Sequence, residues 1–468
     1  MTIRAEVAAS GDWPEWEVPD RHRLRWRGRD WTYWPADASL RPADPAGDGV
    51  PGRVRLPLPD PEPVGLVLAL HRDCNLSCRY CYAGRPRSAA VGLPMSAIAA
   101  AASRVARRCR DEGLDLWVSF HGDNEPLLRP ERIEQAVVIL HQVASQAGVG
   151  LRLACTTNGV VPTAVAAWSA RVFDRVTVSY DGTPDLQDRQ RPASDGAATS
   201  AQVQRTLDRL SAPDGPAELV VRTTVTRDGQ DRQAEMVAHL LSCAAPRRLV
   251  FQPVYPARHA PEAAALRVDP GRFVAGFLHA RVLARSQGVP LELPETRPDQ
   301  VHGRHCTLLQ RQLLLTADGE PSLCVMALDA RYAWDRRRLF GHWDAARSDL
   351  AIRVGQAADC LESLRRPRPV CRGCLNLWHC AQGCPGVCGL DGDAAVVDCR
   401  IPFWVGIADI LERAGLPLEA ADLPDLLRLR PPLPHPVGQE RADGSSDARI
   451  GFLASVAWPA ASADTLGA

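Results

Sequence analysis

Residues 65–82 read GLVLALHRDCNLSCRYCY. The first six are a continuous apolar run, which suits a parallel strand buried on both faces. The run leads into Cys74, Cys78 and Cys81, spaced CX3CX2C, with the aromatic Tyr80 just before the last. Three cysteines are too few for a closed structural zinc site, which takes four ligands. An odd number also fits no self-contained disulfide framework. If the strand belongs to a barrel of strand–helix units, the cysteine loop lies at the C-terminal mouth, where such barrels carry chemistry.

A regular alternation extends outward from this stretch. Helical SAIAAAASRVARRCRDE (96–112) precedes the strand LDLWVSF (114–120), and RIEQAVVILHQVASQ (132–146) precedes GLRLACTTNG (150–159). A short helix near 162–170, the strand RVTVSYDG (175–182), a helix over 198–210, the strand AELVVRTTV (217–225), a helix near 231–243 and the strand RLVFQPV (248–254) follow. Six such units with right-handed crossovers predict an α/β domain over residues 64–260. The local pattern fits an incomplete parallel (β/α)6 barrel and an open doubly wound sheet equally well.

The flanks differ in character. Residues 1–63 form an N-terminal extension and linker. Within it RLRWRGRDWTYW (23–34) alternates as a hairpin with its turn near Arg27–Arg29, either covering the barrel or binding an acidic segment, and 42–63 is broken by proline and glycine. Residues 261–300 form a connecting helical segment. Residues 301–400 hold nine of the fifteen cysteines: Cys306, Cys324, Cys360, Cys371, Cys374, Cys380, Cys384, Cys388 and Cys399. Residues 401–468 begin with the helical FWVGIADILERAG and end in a Gly, Ala, Ser and Asp-rich tail expected to be poorly ordered.

The 468 residues suggest two or three domains. Formal net charge is zero, so no overall field draws the chain to nucleic acid or an anionic membrane. Every basic residue other than histidine is arginine, which excludes a Schiff-base lysine or a phosphate loop ending in GK[ST]. MTIRAEVAASGDWPEW lacks the apolar core of a signal peptide, and no run has the length of a membrane span. The expected compartment is the cytoplasm, with no nucleic-acid or membrane partner. Clustered thiols there bind metal more often than they pair. Cys109, Cys155 and Cys243 fall within helix or strand patterns and read as small buried fillers.

CX3CX2C after a first strand resembles the signature of the radical S-adenosylmethionine (SAM) enzymes. The resemblance implies a [4Fe–4S] cluster on Cys74, Cys78 and Cys81, with the open iron chelating SAM and a 5′-deoxyadenosyl radical as the reactive species. SFHGDNEPLL (119–128) resembles the family's GGEP loop, with Gly122, Glu125 and Pro126 matching in a segment one residue longer. TTNG (156–159) and SYDG (179–182) resemble the patterns at the next two strand ends. Tyr80, Gly122, Glu125 and Ser179 are thereby implied as cofactor contacts, with Glu125 partnering the SAM ammonium group. No general base is identifiable; His121 and Asp181 share only the right strand ends.

Cys306-X12-Gly319-X4-Cys324 and Cys371-X2-Cys374-X5-Cys380-X3-Cys384, followed by Cys399, resemble the SPASM extension of that family. The resemblance spans residues 64–400 and implies a partial TIM-like (β/α)6 barrel followed by a small cysteine-rich domain over 301–400 with two auxiliary [4Fe–4S] clusters, three in all. Cys371, Cys374, Cys380 and Cys399 would hold one. Cys306, Cys324 and Cys384 would hold the other, with Gln312 where many members have a further cysteine. Its fourth position stays open or falls to Cys360 or Cys388. Zinc sites, the first borrowing His71, are the alternative.

SPASM proteins commonly modify peptides, so the expected enzyme is a radical SAM peptide maturase that crosslinks a ribosomally made precursor peptide. An electron donor such as flavodoxin or ferredoxin would supply it. Sulfatase maturases carry an Asp after the second auxiliary cysteine, where Val325 stands here, which counts against that reaction. A SAM-dependent radical dehydrogenase or epimerase and a non-catalytic iron–sulfur or zinc protein remain as alternatives.

Overall fold

The computed structural model describes residues 17–35, 39–44, 53–55, 63–83, 92–255, 260–296, 311–327, 338–357, 374–377, 379–380, 399–429 and 431. Near the N-terminus β1 (Glu17–Pro19) pairs with β5 (Arg53–Arg55). Between them β2 (His22–Trp26), β3 (Arg29–Trp34) and β4 (Ser39–Pro42) form an antiparallel sheet. The turn joining β2 to β3 is the two-residue Arg27–Gly28, with φ of 48° and 74°. Positive φ at both positions matches the right-handed twist of a hairpin. Along β2, Leu24 and Trp26 point inward while Arg23 and Arg25 face water.

The central sheet is built from β6 (Gly65–Leu68), α1 (Met95–Glu112), β7 (Leu116–Phe120), α2 (Pro130–Ala147), β8 (Leu151–Thr157), α3 (Thr163–Val172), β9 (Arg175–Ser179), α4 (Pro184–Gln190), α5 (Ser200–Leu210), β10 (Glu218–Val225), α6 (Gln233–Cys243) and β11 (Arg248–Pro253). The six strands β6 to β11 are parallel and lie side by side in chain order. A doubly wound sheet reverses its order at a switch point. This one never does, and its sequential order is that of a barrel. The barrel is incomplete: β12 (Leu291–Glu292), reached through α7 (Pro270–Ser286), flanks β11 at one edge.

The other edge is filled from the C-terminal region. There β13 (Gln312–Leu315) adds in parallel to β6, Gln312 opposite Gly65 and Leu315 opposite Leu68, and turns back into β14 (Pro321–Ser322). The expected boundary at 300 therefore precedes a strand of the core sheet itself. A short hairpin, β15 (Gly341–Asp344) with β16 (Asp349–Ile352), follows. Helix α4 is too short for its periodicity to stand out in the sequence. Its start is set by Pro184, the first helical residue, where a missing N–H costs nothing.

One apolar core joins these parts. It includes Leu66, Leu68, Phe120 and Val178 from the sheet and Leu24, Trp26 and Tyr33 from the N-terminal sheet. It also takes in Phe403, Trp404 and Ile407 from α8 (Arg400–Arg413), a helix buried on nearly every side. The guanidinium of Arg281 on α7, buried itself, pairs with Asp409 and Glu412 of α8. Arg27 at the hairpin tip bonds Asp422, which precedes α9 (Leu423–Arg428), at 2.9 Å. The Arg/Trp-rich hairpin is thus a packed layer whose exposed face carries Arg23 and Arg25. Among the described residues no helix is long and apolar enough to cross a membrane.

Two outcomes follow from this packing. Trp26→Ala should cost about 3–5 kcal/mol in denaturant unfolding, as large-to-small core changes do, whereas Arg25→Ala on the opposite face should stay within about 0.5 kcal/mol. Burial also pushes the His22 imidazole down to about 4. Because the folded value lies below the unfolded one, stability is retained above the ordinary histidine range and lost as pH falls from about 6.5 toward 4. Melting temperature should fall across that window, and His22→Phe should flatten the fall.

Candidate active site

The cysteine loop follows β6 at the C-terminal mouth of the sheet. Its backbone is held against residues 190–194: Ser77 N donates to Pro192 O at 2.9 Å, Arg79 N to Gln190 O at 3.0 Å, and Ser194 N to Asn75 O at 2.9 Å. Leu76 and Ala193 form the bridge between them. A turn from Cys81 N to Cys78 O, 3.1 Å, ends the segment. The Asn75 side chain donates to Val160 O at 2.7 Å and accepts from Asn158 Nδ2 at 2.8 Å. Asn158 Nδ2 also approaches Cys74 Sγ at 3.9 Å.

Cys74, Cys78 and Cys81 are all partly buried on this loop. Burial pushes the Cys74 and Cys78 thiols up to about 11, and the Arg191 guanidinium is the strongest influence opposing it at Cys78. Such thiols hold their protons at neutral pH unless a cation takes their place, which is the proton–metal exchange of a thiolate site. The donor set, three soft sulfurs on one short loop, fits an iron–sulfur cluster with one open position. Among the described residues no three His, Cys, Asp or Glu side chains are gathered closely enough to hold a single metal ion.

Glu125 is 1% exposed and its carboxylate is well used. Oε1 accepts from Leu127 N at 3.1 Å and Thr157 Oγ1 at 2.8 Å, and Oε2 accepts from Asn158 N. Its own amide donates to Asp73 O at 2.8 Å, one residue before the first cysteine. Burial still pushes the carboxyl up to about 7 against these donors. An ionised carboxylate offers about four acceptor positions, so one remains for an ammonium group.

The other expected contacts gather at the same mouth. Gly122 lies against the residue that follows β6, where an added Cβ would fall 2.8 Å from Ala69 Cβ. Ser179 ends β9, nearly buried, opposite Arg222 of β10. The Tyr80 hydroxyl donates to Asp181 Oδ2 at 2.6 Å and accepts from Arg191 Nη1 at 3.1 Å. Asp181 Oδ1 accepts from Thr224 N at 3.2 Å, so both its oxygens serve the scaffold. Burial, with Arg222 nearby, pushes His121 down to about 4 and keeps its ring neutral.

Several residues here escaped the sequence reading. Asn158 sits inside the TTNG turn and could have been found there. Arg191 belongs to no motif. A partly buried chain along β10 and β11 links Arg222 to Gln252, Gln252 Nε2 to Glu295 Oε1 at 3.0 Å, and Tyr255 to Glu295. Only the sheet brings these positions together.

Of the expected auxiliary ligands, Cys324 is buried just after β14, and Cys374, Cys380 and Cys399 are partly buried. Cys306, Cys371 and Cys384, with Cys360 and Cys388, lie outside the described residues. Val325 packs against Val67 and Leu314. Cys109 and Cys155 are buried in the apolar core, and Cys243 packs at its margin.

Residues 68–241 match the family model described as the Radical SAM superfamily. No curated protein matches the chain. Among solved structures the chain is similar to native anSMEcpe with bound AdoMet, with a TM-score of 0.58 and 15% identity over 78% of this chain and 99% of that one. It is also similar to native anSMEcpe with bound AdoMet and Cp18Cys peptide, with a TM-score of 0.57 and 14% identity over 78% and 98%. Streptococcus suis SuiB bound to precursor peptide SuiA gives a TM-score of 0.49 and 13% identity over 69% and 72%. At these identities the likeness to anSMEcpe shows the fold.

Glu125→Ala should leave the amides of Leu127 and Asn158 without their acceptor. The expected destabilisation is about 1–3 kcal/mol for each buried donor left unpaired, read by denaturant unfolding. Glu125→Gln, which keeps one carbonyl acceptor, should lose less.

Proposed function

We propose, on the premise that residues 68–241 belong to the radical SAM superfamily, that this protein cleaves SAM reductively and modifies a ribosomally made peptide by oxidative crosslinking. The observation that carries the reading is the Cys74, Cys78 and Cys81 loop. It lies at the mouth of a sequentially ordered parallel sheet, beside a carboxylate with an acceptor position to spare. When bound, the cluster supplies the electron that splits SAM into methionine and a 5′-deoxyadenosyl radical able to abstract hydrogen from carbon.

The chain's own residues bind and orient. Glu125 offers its remaining acceptor position to the SAM ammonium group, and the loop through Gly122 brings backbone close to the same place. Ser179 supplies a hydroxyl at the next strand end but one. Tyr80 has its hydroxyl tied to Asp181 and Arg191, so it presents its ring to the cofactor. Arg222, Gln252, Tyr255 and Glu295 add a linked set of polar groups from β10, β11 and beyond, with Gln252 and Glu295 buried.

A peptide substrate is supported by anSMEcpe, which has the same fold and is described with a bound peptide. Val325 has an apolar side chain packed on Val67 and Leu314, and it cannot serve as a base. This favours a crosslink over the sulfatase-type oxidation. Cys306, Cys324 and Cys384, and Cys371, Cys374, Cys380 and Cys399, hold the two auxiliary clusters in this reading, and a flavodoxin or ferredoxin delivers electrons.

Anaerobically reconstituted protein should carry about twelve irons, the content of three four-iron clusters. With dithionite and SAM it should form 5′-deoxyadenosine, and Cys81→Ala should abolish that product while the chain stays folded. A precursor peptide encoded beside the gene should lose two hydrogens on co-expression, read by mass spectrometry. Zinc in place of iron, or no SAM cleavage, would sink the reading. An unchanged mass with solvent deuterium incorporated would replace crosslinking by epimerisation.

A further inference from the structure

Arg191 has no part in the motifs, yet it is 8% exposed and lies against the cysteine loop. The backbone bonds between 75–79 and 190–194 set its position. Residues 77 and 192, 79 and 190, and 75 and 194 are hydrogen-bonded pairs of an antiparallel ribbon, and Leu76 faces Ala193. In that register Cys78 and Arg191 stand directly opposite each other as a non-hydrogen-bonded pair. Such pairs have the closer side chains, with Cβ atoms about 4.5–5.5 Å apart on the same face.

The guanidinium is fixed and makes no direct ion pair with a carboxylate of the described residues, although Asp181 acts on it from beyond the Tyr80 hydroxyl. Nη1 donates to the Tyr80 hydroxyl at 3.1 Å, and the buried Nε has no hydrogen-bond partner among the described residues. No carboxylate of the described residues pairs with it directly; Asp181 is reached only through the Tyr80 hydroxyl. A buried cation without a contacting anion is strongly disfavoured. Negative charge reaches it from two directions, Asp181 behind the Tyr80 hydroxyl and the Cys78 side of the ribbon.

We infer that Arg191, held by Tyr80 and set across from Cys78, is the buried counter-cation of the iron–sulfur cluster on the first cysteine loop. Reduction adds an electron to a group that is already anionic through its thiolates. A fixed positive charge at this range stabilises the reduced state more than the oxidised one. Arg191 is then a positioning and tuning residue that makes the cluster easier to reduce. The inference rests on the proposed function, because it needs that cluster.

The test is a redox titration of the full reconstituted protein, followed by electron paramagnetic resonance on the signal that changes when SAM is added. Wild type, Arg191→Gln and Arg191→Lys are compared at equal iron content. Arg191→Gln should lower the ratio of reduced to oxidised cluster at a fixed potential about tenfold, equivalent to a midpoint about 59 mV more negative for one electron, and Arg191→Lys should restore most of it. If Arg191→Gln cannot hold iron, Arg191→Lys with native iron and native midpoint still supports the inference. An unchanged midpoint in Arg191→Gln overturns it, as does Arg191→Lys behaving like Arg191→Gln, since the charge would then not be what matters. A wild-type chain that binds no iron overturns the proposed function and this inference together. Iron-loaded wild type with indifferent variants overturns this inference alone.

Discussion

The carboxylate of Glu125 accepts from the amides of Leu127 and Asn158 and the hydroxyl of Thr157, while its own amide donates to Asp73. These bonds join the loop after β7, the end of β8 and the segment that carries the first cysteine. Taking a carboxylate out of water is costly unless it is well hydrogen-bonded. Here burial outweighs the donors, and the group is left with its affinity for protons raised to near neutrality. A carboxylate so placed responds to any cation brought beside it. One group thus both ties three strand ends together and leaves the site ready for positive charge.

A second constraint operates from across the mouth. The 190–194 segment pairs with 75–79 and brings Arg191 to the cysteine loop. It exists because α4, a helix of only 7 residues, ends at Gln190 and frees the following backbone to pair with the loop. The cysteine loop is therefore stabilised from two sides, by Glu125 through Asp73 and Asn158 and by backbone bonds to 190–194. A loop without internal secondary structure needs such support, because its polar backbone groups must find partners when half-buried.

Much of the core was readable along the chain. The strands β6 to β11 and the long helices between them fall within a few residues of their expected positions, because apolar runs and helical periodicity are local signals. The hairpin turn at Arg27–Gly28 was readable for the same reason. The short α4 and the strand β13 were not. The first is too brief to show a period. The second is a strand of four residues, only three of them apolar, whose partner, β6, lies more than two hundred residues earlier. At the site, the cysteine spacing and the glycine and glutamate of the 119–128 loop could be recognised, whereas the partners of Tyr80 and Glu125 could not.

The sequence by itself determined the alternation of strands and helices, the thiol donors and their spacing, and the absence of any lysine chemistry. These depend on residue identity and on separations of a few positions. Tertiary structure decided between a barrel and a doubly wound sheet, since strand order is a property of pairing between distant segments. It also decided that Glu125 is shared among three elements, that Val325 packs on Val67 and Leu314, and that Arg191 faces Cys78 across a ribbon. Each of these turns on which buried polar and charged groups meet. Burial sets the cost of leaving them unmet, and only the folded chain determines burial.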